Sequence, residues 1–133
     1  MATAHKYEDL NAYQLSKELR DTIFRLTEGG PALKNLTFRE QIRRASSSPP
    51  ANIAEGFGRF KPREFAQFLR IARASLLETR NHIEDGRTKK YFSEEELARL
   101  LDLQTRATKA TTGLLRYLES CKGKAPTGWH HEP

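Results

Sequence analysis

The chain has 133 residues, of which 37% are hydrophobic and 30% charged, with a formal net charge of +6. That length suits one domain able to bury enough apolar surface to fold without a disulfide or a metal. No apolar run approaches the roughly 18 residues of a membrane-spanning helix, nothing at the start of the chain has the pattern of a secretory leader, and Cys121, the one cysteine, cannot pair internally. A cytoplasmic protein is therefore expected. A sequence pI near 9.7 favours acidic partners, with nucleic acid first. The cationic excess is concentrated in residues 61–92 and 97–124.

Four helical patterns follow one another, and no strand pattern accompanies them. The first runs from about Asp9 to Thr27, with Ala12, Leu15, Leu19, Ile23 and Leu26 drawing one stripe at spacings of three or four. Gly29-Gly30-Pro31 ends it. The second starts near Asn35 or Thr37, where Thr37 and Glu40 fit a capping box. Leu36, Phe38, Ile42 and Ala45 begin its buried side. Pro49 and Pro50 then remove two backbone donors and crowd the carbonyls of Ala45 and Ser46. From the residues alone this predicts a break, then a short helix from Ala51 to about Phe57.

The third helix is expected from Pro62 to Asp85, with Phe65, Phe68, Leu69, Ala72, Leu76, Thr79 and Ile83 on its stripe and Gly86 as its stop. Ile71 and Leu77 fall off that stripe. The fourth opens at Ser93-Glu94-Glu95-Glu96, where serine caps, Glu96 reciprocates and acids meet the positive end of the helix dipole. Leu97, Leu100, Leu101, Gln104, Thr108, Thr111, Leu115 and Leu118 form its stripe. Leu103 and Leu114 lie to one side, and Gly113 weakens the helix. Short connections place consecutive helices antiparallel, which gives an all-α, up-down-up-down four-helix bundle over residues 1–122. Residues 123–133 are polar and aperiodic and are expected to form a mobile tail, with Trp129 as its one docking feature.

Basic residues recur with a shared rhythm. Arg63, Arg70, Arg73 and Arg80 on the third helix, and Arg99, Arg106, Lys109 and Arg116 on the fourth, both have spacings of seven, three and seven. At about 100° per residue each set covers an arc of roughly 100°. Arg39, Arg43 and Arg44 add a cluster on the second helix, and Lys89-Lys90-Tyr91-Phe92 a basic and aromatic connection. Cations held at intervals on rigid helices are what phosphate contacts need, since each contact releases a counterion. The same rows also suit a solvated face with ion pairs to Glu78, Glu84 or Asp102. No motif for reading bases is present.

Catalytic and cofactor readings find no support. A di-iron bundle needs two Glu-x-x-His motifs, whereas Glu78 and His82 stand four apart without a second copy. No Gly-rich phosphate loop joins a strand to a helix. Neither enzyme activity, metal nor cofactor is expected. His130-His131 would take up metal only incidentally.

Gln41-Ile42-Arg43-Arg44-Ala45-Ser46, Pro50, Asn52-Ile53-Ala54-Glu55-Gly56, Arg59, Glu64-Phe65 and Phe68-Leu69 form an ordered signature. With Tyr7 to Leu10 and Ile71-Ala72, Ser75 and Glu78, it resembles the family of four-helix-bundle proteins named for the intervening sequences of bacterial 23S rRNA genes. The resemblance covers about residues 7–120. It implies one long second helix, kinked at Pro49-Pro50 rather than broken. This family in turn looks distantly like the accessory protein of diversity-generating retroelements, a basic homopentameric barrel that contacts nucleic acid and a reverse transcriptase.

By that resemblance the chain is expected to be a homopentamer that binds RNA or DNA backbone. Reverse-transcriptase binding is not carried over. Phe24, Phe60, Ile71, Leu77, Leu103 and Leu114, off the main stripes, are the expected subunit contacts. An oligomeric scaffold for a protein partner is the alternative. Within the signature, Gly56 would let a helix approach closely, Asn52 and Glu55 share a face, and Glu55 is expected to pair with Arg43, Arg44 or Arg73.

Overall fold

In the computed structural model, which describes residues 4–59 and 61–123, the apolar stripes are carried by four long helices. They are α1 (Asn11–Leu26), α2 (Leu36–Gly58), α3 (Pro62–Thr88) and α4 (Glu94–Ser120). Short 3-10 turns at Tyr7–Asp9 and Pro31–Lys34 precede α1 and α2. No strand occurs among the described residues, and none of their helices is long and apolar enough to cross a membrane. The expected mobile tail falls almost wholly on residues 124–133, so Trp129, His130 and His131, like Phe60, lie outside the described residues.

Each helix packs on two others. α1 and α3 both lie against α2 and α4, while the backbones of the two remaining pairs stay apart among the described residues. Two core clusters result. One joins Leu10 and Ala12 to Ile53, Phe57, Phe65, Leu69, Leu114 and Leu118. The other joins Leu19 and Ile23 to Phe38, Ile42, Leu76, Ile83, Phe92, Leu100 and Leu103. Along α1 and α4, Ser16 and Thr111 fall between these clusters, and their hydroxyls are buried without a hydrogen-bond partner. An unpaired buried polar group of this kind costs about 1–3 kcal/mol.

The fourth helix begins as its sequence predicts. Glu96 N–H donates to Ser93 Oγ at 3.1 Å, and Ser93 N–H donates to Glu96 Oε1 at 2.8 Å. The second is capped differently. Asn35, not Thr37, accepts from Phe38 N–H at 3.1 Å, and its Nδ2 donates to Tyr91 Oη at 2.8 Å. One side chain thus starts α2 and ties it to the α3–α4 connection.

Three expectations change. First, the break read from the residues alone does not occur, and α2 is one long helix, as the resemblance implies: Pro49 and Pro50 lie inside it, and both are buried. A proline inside a helix costs about 3 kcal/mol. Here the ring faces inward, and α2–α3 is the most extensive helix contact of the bundle, so burial offsets that cost. Local bonds add to it: Asn52 Nδ2 donates to Ser48 O, and Ser48 Oγ meets Ser75 Oγ across the seam at 2.7 Å.

Second, Gly86 does not stop α3, which continues to Thr88. Gly86 is buried under the aromatic rings that close this end of the bundle. A Cβ there would lie 2.5 Å from Phe92 Cε2 and 3.0 Å from Phe38 Cζ. Third, Leu103 and Leu114 are core residues, not candidates for a subunit contact. α4 is flanked by both α1 and α3, and so buries a wider arc than one stripe.

Gly56 has the same constraint as Gly86. A Cβ there would lie 2.7 Å from both Phe65 Cδ1 and Phe68 Cβ, whereas one at Gly113 would meet nothing within 4 Å. Gly56→Ala is therefore expected to destabilise the fold by about 1–3 kcal/mol through overpacking. Gly113→Ala should stabilise it by about 0.5–1 kcal/mol by restricting the unfolded chain. Opposite shifts in thermal midpoint would bear out both assignments, and equal shifts would refute them.

Candidate nucleic-acid interface

A helix ends with carbonyls that have no intrahelical donor, and α1 resolves this with side chains from α2. Arg39 Nε donates to Thr27 O at 2.8 Å, and Arg43 Nη2 donates to Phe24 O at 3.1 Å. Arg43 Nε also donates to Thr27 Oγ1 at 2.9 Å, while that hydroxyl donates to Ile23 O at 2.8 Å. The Phe24 ring has guanidinium carbons of Arg20 and Arg43 at 4.0 and 4.5 Å from its centroid. Burial, with Arg39 alongside, lowers the Arg43 pKa, but a guanidinium remains charged at any physiological pH. Two of the three α2 arginines are therefore engaged in closing the α1–α2 connection. Arg44 points outward, with no ion pair among the described residues.

The remaining signature residues are also held locally. Glu55 pairs with Arg59 at 2.9 Å on an exposed face, not with Arg43, Arg44 or Arg73. The correction follows from spacing: residues four apart on one helix meet without crossing a seam. Arg59 in turn lies over the Phe68 ring at 5.2 Å. Asn52 is turned to Ser48, and Gly56 to Phe65 and Phe68. In the Lys89–Phe92 connection the aromatic rings are packed inward. Phe92 is buried, and Tyr91 stacks edge-on against Phe38 at 4.9 Å. Lys89 is held by Asp85, whose hydrogen bond raises the ammonium pKa. Phe92 is therefore closed to a base, and Tyr91 is half-buried with its hydroxyl held by Asn35.

The two seven-three-seven rows occupy separate settings. The α3 row leans toward α4: Arg70 pairs with Glu119 at 3.1 Å, and Arg80 Nη1 reaches Gln104 Oε1 at 3.5 Å. Gln104 is buried between them, its amide donating to Leu76 O at 3.0 Å. The α4 row begins beside α1, with Arg99 bonded to Glu18, and continues through Arg106, which pairs with Asp102 at 3.6 Å along its own helix. Arg63, Arg73, Lys109 and Arg116 form no ion pair among the described residues. With Arg44 they are the cations of the predicted set that remain available to a partner. Spacing showed which residues share a face, but not which ones the neighbouring helix engages, because Glu18 and Glu119 lie 81 and 49 residues away in sequence.

Other polar groupings do not form a centre. His82 stands 3.6 Å from Glu78, and among the described residues no group of three or more His, Cys, Asp or Glu could hold a metal. Cys121 is half-buried, its thiol toward Tyr117 O at 3.3 Å.

A family model described as 23S rRNA-intervening sequence protein matches residues 8–113. The chain belongs to that family. Comparison with curated proteins gives no match.

If Arg43 closes α1, Arg43→Ala removes its charge-assisted bonds to Phe24 O and Thr27 Oγ1 and is expected to destabilise the protein by about 1–3 kcal/mol, while Arg44→Ala changes stability by less than about 0.5 kcal/mol. Chemical denaturation of the two variants separates these roles. Equal effects would contradict the division.

Proposed function

We propose that this protein is a non-catalytic nucleic-acid-binding oligomer of the cytoplasm, a homopentamer that holds RNA or DNA by its phosphate backbone. The observation that carries the reading is that Arg44, Arg63, Arg73, Lys109 and Arg116 have no carboxylate partner among the described residues, in a chain of net charge +6. Repetition around a ring would convert modest single contacts into avidity. With no base-reading motif in the sequence to draw on, binding would be insensitive to sequence and steeply dependent on salt.

The finer architecture belongs to the same proposal: one domain over residues 1–122, up-down-up-down helix order, a bend of α2 at Pro49-Pro50, and distant kinship with the accessory protein of diversity-generating retroelements. The two core clusters support the helix order. One draws on the start of α1 and α3 with the end of α2 and α4, the other on the opposite ends.

A second reading, an oligomeric scaffold for a protein partner, is favoured by one observation. Ile71 and Leu77 on α3 are 49% and 57% exposed, which leaves large apolar side chains facing outward. Either a second copy or a protein partner would bury them.

Titration of the protein against structured RNA, duplex DNA and single strands at two salt concentrations, with mass from light scattering, distinguishes the two. The expected outcome is a five-subunit mass and salt-sensitive binding that Arg73→Glu with Arg116→Glu weakens about tenfold or more. A five-subunit mass without binding at low salt would leave the assembly standing and favour the scaffold.

A further inference from the structure

The start of α3 and the end of α4 meet in an open groove of about 360 Å³. Arg63 and Arg70 enter it from the first turns of α3, Lys122 from the turn after α4, and Glu119 and Gln67 complete its polar lining. The charges are unequal. Glu119 is occupied by Arg70 at 3.1 Å, while Arg63 and Lys122 are exposed and have no ion pair among the described residues. After that one pairing, two cations remain.

The backbone is shaped around one of them. Lys122 and Gly123 both have positive φ, at 51° and 85°, a left-handed turn at the edge of the groove. A Cβ on Gly123 would sit 2.9 Å from Arg63 Nε and 3.1 Å from its Cζ. The guanidinium therefore lies flat against a position that only glycine fills without displacing it. Its donors stand at the groove with no ion pair among the described residues. Arg70 is oriented by its ion pair with Glu119. The first turn of a 27-residue helix with no side-chain cap adds positive potential on the same side.

We propose that this groove is a seat for one phosphate group, with Arg63 and Lys122 binding its oxygens and Arg70, oriented by Glu119, as the third donor. Guanidinium suits a phosphate because its parallel N–H groups match two oxygens, and an ammonium adds a mobile point charge. The phosphate could come from a nucleic-acid backbone, a strand terminus or a free phosphate compound. The inference rests on the nucleic-acid reading only for that source, not for the site.

Two experiments on the full chain separate the site from its source. In the first, inorganic phosphate is titrated into ¹⁵N-labelled protein and followed by amide NMR, with chloride at matched ionic strength as control. Saturable shifts at Arg63, Lys122 and Gly123 are expected. Lys122→Glu and Gly123→Ala should each reduce the affinity about tenfold or more, while Lys34→Glu, at the opposite end of the bundle, leaves it unchanged. Shifts no larger than those in chloride, or an affinity that neither groove variant alters, would overturn the proposal.

In the second, one RNA strand is compared with a 5′-phosphate and a 5′-hydroxyl. Preference for the phosphorylated strand, lost in Lys122→Glu, assigns a terminal phosphate. Equal binding of both, weakened in that variant, assigns the backbone. Phosphate binding without RNA binding keeps the site and removes the nucleic-acid reading. RNA binding that is indifferent to the groove variants, with no phosphate response, does the reverse.

Discussion

The closeness of α2 to α3 sets the terms for the rest of the bundle. Two aromatic side chains of α3 occupy the space where a Cβ of Gly56 would stand, so the helices approach nearer there than an alanine would allow. That contact carries most of what makes α2 unusual. Two prolines sit inside it, with a combined cost of about 6 kcal/mol from intrinsic propensity, and the helix still runs from Leu36–Gly58. Continuity is maintained by burial of both proline rings and by the Ser48–Ser75 and Asn52–Ser48 bonds beside them. Gly86 plays the corresponding part at the other end, where Phe92 and Phe38 close the core over α3.

The family signature is therefore mostly a set of packing and capping devices. Arg39 and Arg43 satisfy the last carbonyls of α1. Glu55 and Arg59 pair along one helix, and Gly56 admits α3. A motif of arginines, a glutamate and glycines reads as a ligand site when seen as a string. In three dimensions its charges are largely engaged by the same chain. Of the predicted set, the cations without an ion pair among the described residues are Arg44 from the signature helix and Arg63, Arg73, Lys109 and Arg116 from the rows on α3 and α4.

Much of the fold was legible from periodicity. The stripes of α1, α3 and α4, the Ser93–Glu96 capping box and the short connections all follow from local rules. What was not legible depended on contacts between distant segments. Gly86 looked like a helix stop because local sequence does not report that Phe92 and Phe38 need its space. Leu103 and Leu114 looked peripheral because a single stripe ignores that α4 has a neighbour on each side. The prolines looked like a break because propensity omits what α3 contributes. For the candidate interface, spacing identified shared faces, while the carboxylates that engage Arg70 and Arg99 come from other helices and leave no local signal.

The signature is engaged in the fold, and free cations of α3, α4 and the turn beyond are proposed to meet nucleic acid. Lysine acetylation footprinting, with and without bound RNA, tests this most directly. Protection is expected at Lys109 and Lys122, with no change at Lys17, which is held by Asp21 at 2.6 Å. Protection confined to Lys34 and Lys61, with Lys109 and Lys122 unchanged on bound RNA, would contradict the account.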